Sequence, residues 1–239
     1  MSKYFFIFLF LPFVSLSQSA VIKPFYLVHS KDSIKSISYP VLYPSEMHAN
    51  RRINNIIKAS VFHGDTSKPL QKLLQTLYKK DNELQMQYTV NRNKNGFLSI
   101  IITRIPSKGD KIPPIYLNFD LAGGNLITLG DIFKSKDDSF SFRQAVVPAI
   151  TDSIQLVEQT INKSNPNYGK IIEWLNSSLN TFWYSYTSKY ILTDKEIIVC
   201  FDCFIPHNLL PYSHTYRATF PYKIIKNIFK EDVIKRLTN

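Results

Sequence analysis

The side chains from which chemistry could be built are few: two cysteines, five histidines and a scatter of carboxylates. Cys200, Phe201, Asp202 and Cys203 form a Cys-x-x-Cys, a spacing that can poise a dithiol in an oxidising compartment. A reactive dithiol of this kind opens a helix, whereas these cysteines follow the strand-like Ile197, Ile198 and Val199. Residues three apart on a regular strand face opposite ways, so a bond between them needs a turn or bulge after Phe201. The pattern favours a structural pair, bonded or buried, over a catalytic dithiol.

His29, His48, His63, His207 and His214 lie scattered. Even His207 and His214 lack the short spacing that lets one element present two ligands to zinc, so no metal site and no cofactor are expected. Asp120, Asp131, Asp137 and Asp138 are the carboxylates that could pair as acid and base, but surface and capping roles account for such residues more often. No catalytic residue is assigned. Gly-x-Ser-x-Gly, His-Glu-x-x-His, the phosphate loop and Gly-x-Gly-x-x-Gly are all absent from the chain.

The candidate binding residues fall in one stretch, residues 206–216, which offers Pro206, His207, Pro211, Tyr212 and Tyr216. Tyrosine presents a large, rigid contact with a polar tip and suits protein or sugar surfaces. The other reading of Tyr212 is a corner aromatic fixed in place by Pro211.

The elements that must position these residues mix helices with strands. Residues 38–43 alternate and end at Pro44, and Ser45 then offers an N-cap for a helix with Ala49, Ile53, Ile56, Ile57 and Val61 on one face. Leu70, Leu73, Leu74 and Leu77 mark a second helix after Pro69. Two strand-like runs, 84–91 and 97–104, flank Asn95-Gly96, the signature of a tight hairpin, and a third covers 115–121 before Gly123 and Gly124. Thr128 and Asp131 have the spacing of a capping box. Helical spacing recurs over 140–161, where Pro148 either kinks the helix or marks its first turn, and again over 168–179. Strands return at 190–192, 197–201 and 216–220, before helical turns over 224–237. The expectation is an α+β fold, antiparallel sheets packed against several helices in a single compact unit. Its N-terminal half would cover about 37–110 and its C-terminal half about 111–239.

The first residues read as an export signal. Lys3 precedes the apolar run 4–14, followed by the small and polar residues 15–20, so residues 1–19 are expected to be removed, with cleavage after Ser17 or Ser19 ahead of Ala20. The run is too short for an anchor, which needs about 20 apolar residues, so the mature protein is expected in the periplasm or outside, with no transmembrane anchor. The net charge of +11 becomes +10 without Lys3, the one charged residue among the first twenty. A basic surface attracts nucleic acid, anionic lipid or acidic cell-wall polymer, and export makes nucleic acid the least suited; Lys-, Ile- and Asn-rich composition explains the charge as readily.

Taken in order, the motifs resemble an exported domain found in the extracellular part of the anti-sigma factor RsiV and in the N-terminal part of the peptidoglycan deacetylase PdaC. The likeness runs over residues 37–229 through Tyr39-Pro40, Arg52-Ile53-Asn54, Tyr88-Thr89-Val90 and Leu98-Ser99-Ile100. It is densest at residues 116–121 (Tyr-Leu-Asn-Phe-Asp-Leu), with Ile127-Thr128-Leu129 and Asp131-Ile132-Phe133. Residues 190–194 and 198–201, Pro206, Pro211-Tyr212 and Phe220-Pro221-Tyr222 complete it. Where the family has Tyr after the first Pro and a small residue before the second, this chain has His207 and Leu210, and the Gly after Tyr212 is missing.

The resemblance implies a non-catalytic binding domain of the cell envelope, engaging lysozyme or a cell-wall glycan, without the sigma-binding or deacetylase parts. The alternative it implies is an enzyme acting on peptidoglycan, or an accessory domain of one. Charge discriminates between partners: animal lysozymes are commonly cationic and meet a +10 chain with net repulsion, whereas peptidoglycan-linked and other anionic envelope polymers meet attraction that falls with salt.

Overall fold

The structure is a computed structural model, and it describes residues 19–28, 36–80, 85–105, 112–161, 163–182, 186–203 and 214–239. The signal-like residues 1–18 lie outside that set. Nine strands and seven helices occur among the described residues, in an α+β arrangement.

Strands β1 (Val21–Val28), β2 (Ser36–Tyr43), β3 (Gln85–Lys94), β4 (Phe97–Ile105), β5 (Ile115–Asp120) and β6 (Asn125–Leu126) form one sheet in that spatial order. Every neighbouring pair is antiparallel except β2 and β3, which meet in parallel at Ile37 and Met86. Helices α1 (His48–Val61) and α2 (Leu70–Lys80) cover one face. The period of two explains the layering. Leu98, Ile100 and Ile102 of β4 and Leu117 and Phe119 of β5 share a core with Ile53, Ile57, Val61 and Leu74 of the helices. The intervening residues face the other way, where Phe97 joins the second core, Ser99 Oγ accepts from Leu192 N at 3.2 Å and Asn118 Nδ2 donates to Tyr190 O at 2.9 Å.

The second sheet is the antiparallel meander β7 (Tyr190–Leu192), β8 (Glu196–Cys203) and β9 (His214–Pro221). Around it pack α3 (Leu129–Ile132), α4 (Lys136–Thr160), α5 (Tyr168–Phe182), α6 (Tyr222–Ile225) and α7 (Glu231–Thr238). Phe133 lies 5.2 Å from Phe142 and 5.5 Å from Phe229, ring centre to ring centre, so α4 and the C-terminal segment close on the same aromatic cluster.

Several local details depart from the sequence expectations. Helix α1 starts at His48 behind Met47, not behind Ser45, whose hydroxyl instead donates to Glu46 Oε1; Asn50 Nδ2 secures the entry by donating to Pro44 O at 3.0 Å. Pro148 sits deep inside α4, which begins with Ser135 accepting from Asp138 N. The hairpin turn is as expected, with Asn95 and Gly96 both at positive φ (53° and 77°). Strand β1 was not foreseen, and its Pro24 is tolerated because β1 is an edge of the sheet.

A bulge in β3 between Val90 and Arg92 turns Arg92 to the face where its partner Ser99 lies, between the sheets. Its side chain is fully buried there and donates to Thr193 O (2.8 Å) and Arg236 O (2.9 Å), with Asp194 at 3.4 Å. Burial pulls the guanidinium down from its ordinary value, opposed by Tyr222 and Asp194.

Candidate functional site

Of the expected binding residues, Pro206, His207, Pro211 and Tyr212 lie outside the described residues. Tyr216 is placed by β9, opposite Phe201 of β8, and their rings stack 5.6 Å apart. It is 4% exposed, so the ring belongs to the core rather than to a contact surface, because it falls on the face of β9 that packs inward. Cys200 is a buried, free cysteine, and Cys203 ends the same strand opposite His214. Burial, reinforced by Asp202, pushes the Cys200 thiol up to about 12, the opposite of what a reactive dithiol needs.

Asp202, between the cysteines on β8, is the most buried carboxylate among the described residues. Its Oδ1 accepts from the Tyr116 hydroxyl (2.8 Å) and the Thr215 hydroxyl (2.9 Å), while Oδ2 is enclosed without a partner. Burial raises its pKa above the ordinary carboxylate value, against the lowering effect of Tyr116, Thr215, Lys189 and Arg217.

Surface depressions among the described residues include two that bring polar side chains together. The larger, about 610 Å³, runs along the outward face of α1 and is lined by His48, Arg51, Arg52, Asn55, Ile56 and Ala59, with Thr66 at its end. Those helix positions are spaced i, i+3, i+4, i+7, i+8 and i+11, one continuous helix face opposite the buried Asn50, Ile53, Ile57 and Val61. None of the lining residues is acidic. Arg51 is steadied by donating to Glu46 O at 3.0 Å, and at the far end Lys58 Nζ fixes the turn by donating to Thr66 O (2.7 Å) and Lys68 O (2.6 Å). The signal for this groove was present in the sequence as a cationic stripe on the polar face of the first helix; reading that helix only for its apolar side missed it.

The smaller depression, about 270 Å³, lies at the seam between the two sheets' layers, where β5, β6, α3 and α7 meet. It brings together Asp120 and Asp131, two of the carboxylates noted from sequence, with Asn125, Leu126, Phe97 and Arg236. Both carboxylates have structural work. Asp131 Oδ2 takes the Thr128 backbone N–H and hydroxyl at 2.7 Å each, the expected capping arrangement, and Asp120 pairs with Arg236 at 2.7 Å. Asp138 likewise caps α4 through Ser135. No group of three or more metal-ligating side chains occurs among the described residues, and no helix among them is long and apolar enough to cross a membrane.

Solved structures share this architecture. A DUF3298-family protein from Bacteroides fragilis superposes with a TM-score of 0.54 at 12% identity, over 91% of this chain and 95% of its own. The fold is that of DUF3298 proteins. A second member, from Pseudomonas aeruginosa, superposes with a TM-score of 0.51 at 12% identity over the same shares. No protein-family profile and no curated protein matches the sequence. The DUF3298-like fold therefore carries the architecture, and the side chains of this chain must carry the function.

Proposed function

We propose that this is an exported, non-catalytic binding protein of the cell envelope that holds an anionic cell-wall glycan. The observation that carries the reading is the α1 groove, which Arg51, Arg52, His48 and Asn55 line from one helix face with no carboxylate among the lining. Guanidinium groups suit carboxylates and phosphates because their donors form a planar fork, and the asparagine amide adds hydroxyl recognition. A mature chain of net charge +10, the full +11 less Lys3, concentrates such polymers before contact. The likeness in motif order to the RsiV and PdaC exported domains supports a cell-wall setting.

Binding is favoured over catalysis because the reactive groups in view are committed. The Cys200 thiol is buried and pushed up, and Asp120 and Asp131 are held by Arg236 and Thr128. A cationic lysozyme finds like charge in the groove, which disfavours that partner there.

Calorimetric titration of residues 20–239 with teichoic-acid-bearing peptidoglycan fragments, beside a c-type lysozyme, tests the proposal. Saturable heat with the polymer that weakens at least about tenfold between about 50 and 300 mM salt is expected. Tight, salt-resistant binding of lysozyme with silence toward the polymer would replace it with a lysozyme-binding function.

A further inference from the structure

We infer that the seam cleft holds one uncharged sugar ring of the same glycan, and that groove and cleft are two subsites of one extended surface. This rests on the glycan-binding function proposed above. The helix that carries the groove and the turn that leads into the cleft meet at one tight backbone contact. Gly124 has φ +66°, and a Cβ there would fall 2.5 Å from Ala49 O. Ala49 follows the groove residue His48, and Gly124 precedes the cleft residue Asn125, so a chain leaving the groove at the start of α1 passes directly onto β6.

The cleft has the composition a sugar ring needs. Among the described residues the Asn125 amide makes no hydrogen bond, and Asp131 uses only Oδ2, leaving Oδ1 open. Neighbouring hydroxyls on a ring donate to a carboxylate oxygen and exchange donor and acceptor with an amide, so these two groups can be matched by one polyol edge. Leu126, 44% exposed, offers a flat aliphatic surface to the C–H face of the ring. The cleft is smaller than the roughly 300–1,000 Å³ of drug-sized sites, which leaves room for a ring but not a chain.

Charge separates the two subsites. Arg236 is occupied by Asp120 and by the carbonyls of Asn95 and Gly96, and the remaining charge in the cleft is the carboxylate of Asp131. A phosphate or uronate is repelled there and attracted to Arg51 and Arg52, whereas a neutral N-acetylhexosamine is accepted.

Fully N-acetylated chitotetraose, a neutral oligosaccharide, is the probe. Residues 20–239 are expected to bind it saturably with an affinity that does not change with salt. Asn125→Ala and Leu126→Asp are expected to weaken it at least about tenfold with thermal unfolding unchanged, while Lys170→Gln on the exposed side of α5 binds as the parent does. The anionic polymer is expected to displace it competitively. Silence of the parent protein, or undiminished binding by Asn125→Ala, overturns the cleft assignment; simultaneous, independent binding of both ligands overturns the single extended surface. Chitotetraose binding at the cleft without any polymer binding would instead remove the function proposed above and leave this site standing.

Discussion

Arg236 Nη2 lies 2.7 Å from Asp120 Oδ1, a contact spanning 116 positions that fastens the last helix to the end of β5. The same guanidinium donates to Asn95 O and Gly96 O and rests 4.1 Å from the centre of the Phe97 ring, so one side chain reads the hairpin turn, the strand and the core at once. Both partners are partly solvated, with side chains 35% and 27% exposed, so the ion pair itself is modest. A double-mutant cycle with Asp120→Asn and Arg236→Gln is expected to give a coupling of about 1 kcal/mol, shrinking with added salt. Urea denaturation measures it, and a coupling indistinguishable from zero would contradict the clamp.

Arg92 is the more costly residue to change. Its removal takes one of two donors from each of two carbonyls in a buried seam, leaving Thr193 O with the Tyr222 hydroxyl and Arg236 O with Asn95 Nδ2. Arg92→Met is expected to destabilise by about 3 kcal/mol. Arg92→Lys is expected to recover less than half, because one ammonium cannot serve carbonyls on two different elements as the guanidinium fork does. Equal stability of the Lys variant and the parent in chemical denaturation would show that only the charge matters.

Asp202 makes stability depend on pH in a definite direction. Burial raises its carboxyl in the folded chain above the ordinary value of 3.8, so the folded state binds its proton more tightly than the unfolded state does. Below that value both states are protonated and the effect is absent; it grows as pH rises toward the raised folded value and stays at full size above it. Asp202→Asn, which keeps an oxygen for Tyr116 and Thr215, is therefore expected to gain stability relative to the parent between about pH 4 and pH 8. A difference between the two proteins that is flat across that range would contradict the assignment.

The Cys200 thiol is expected to be silent toward thiol reagents in the folded state. In a Cys203→Ser variant, burial and the thiol's rise to about 12 leave almost no thiolate at pH 8, so labelling waits for unfolding. Rapid modification of the native variant at pH 8 would show an accessible, activated sulfur.

Much of the architecture was legible in local chemistry. Asn95-Gly96 specified its hairpin, Thr128 and Asp131 their cap, and the period of two in β4 and β5 the paired strands, since each of these depends on neighbours in sequence. What escaped depends on distant partners. Strand β1 exists because β2 offers it an edge along Val21–Tyr43 to Val28–Ser36, and nothing within β1 announces that partner. The side on which Arg92 lies follows from a one-residue bulge whose counterpart is Ser99. Tyr216 reads as a loop contact from its neighbours in sequence, and its burial depends on Phe201, which stacks on it from β8. The seam cleft joins β5 and β6 to α7, so Asp120 and Arg236 had no visible relation in the sequence.

The most direct test of glycan binding is the affinity of an Arg51→Gln, Arg52→Gln double variant for the anionic polymer, measured by calorimetry at low salt beside the parent protein. Both side chains are exposed, so the fold is expected to survive, and affinity is expected to fall at least about tenfold with a shallower salt dependence. Unchanged affinity and an unchanged salt slope in the double variant would contradict the assignment of the α1 groove as the binding surface.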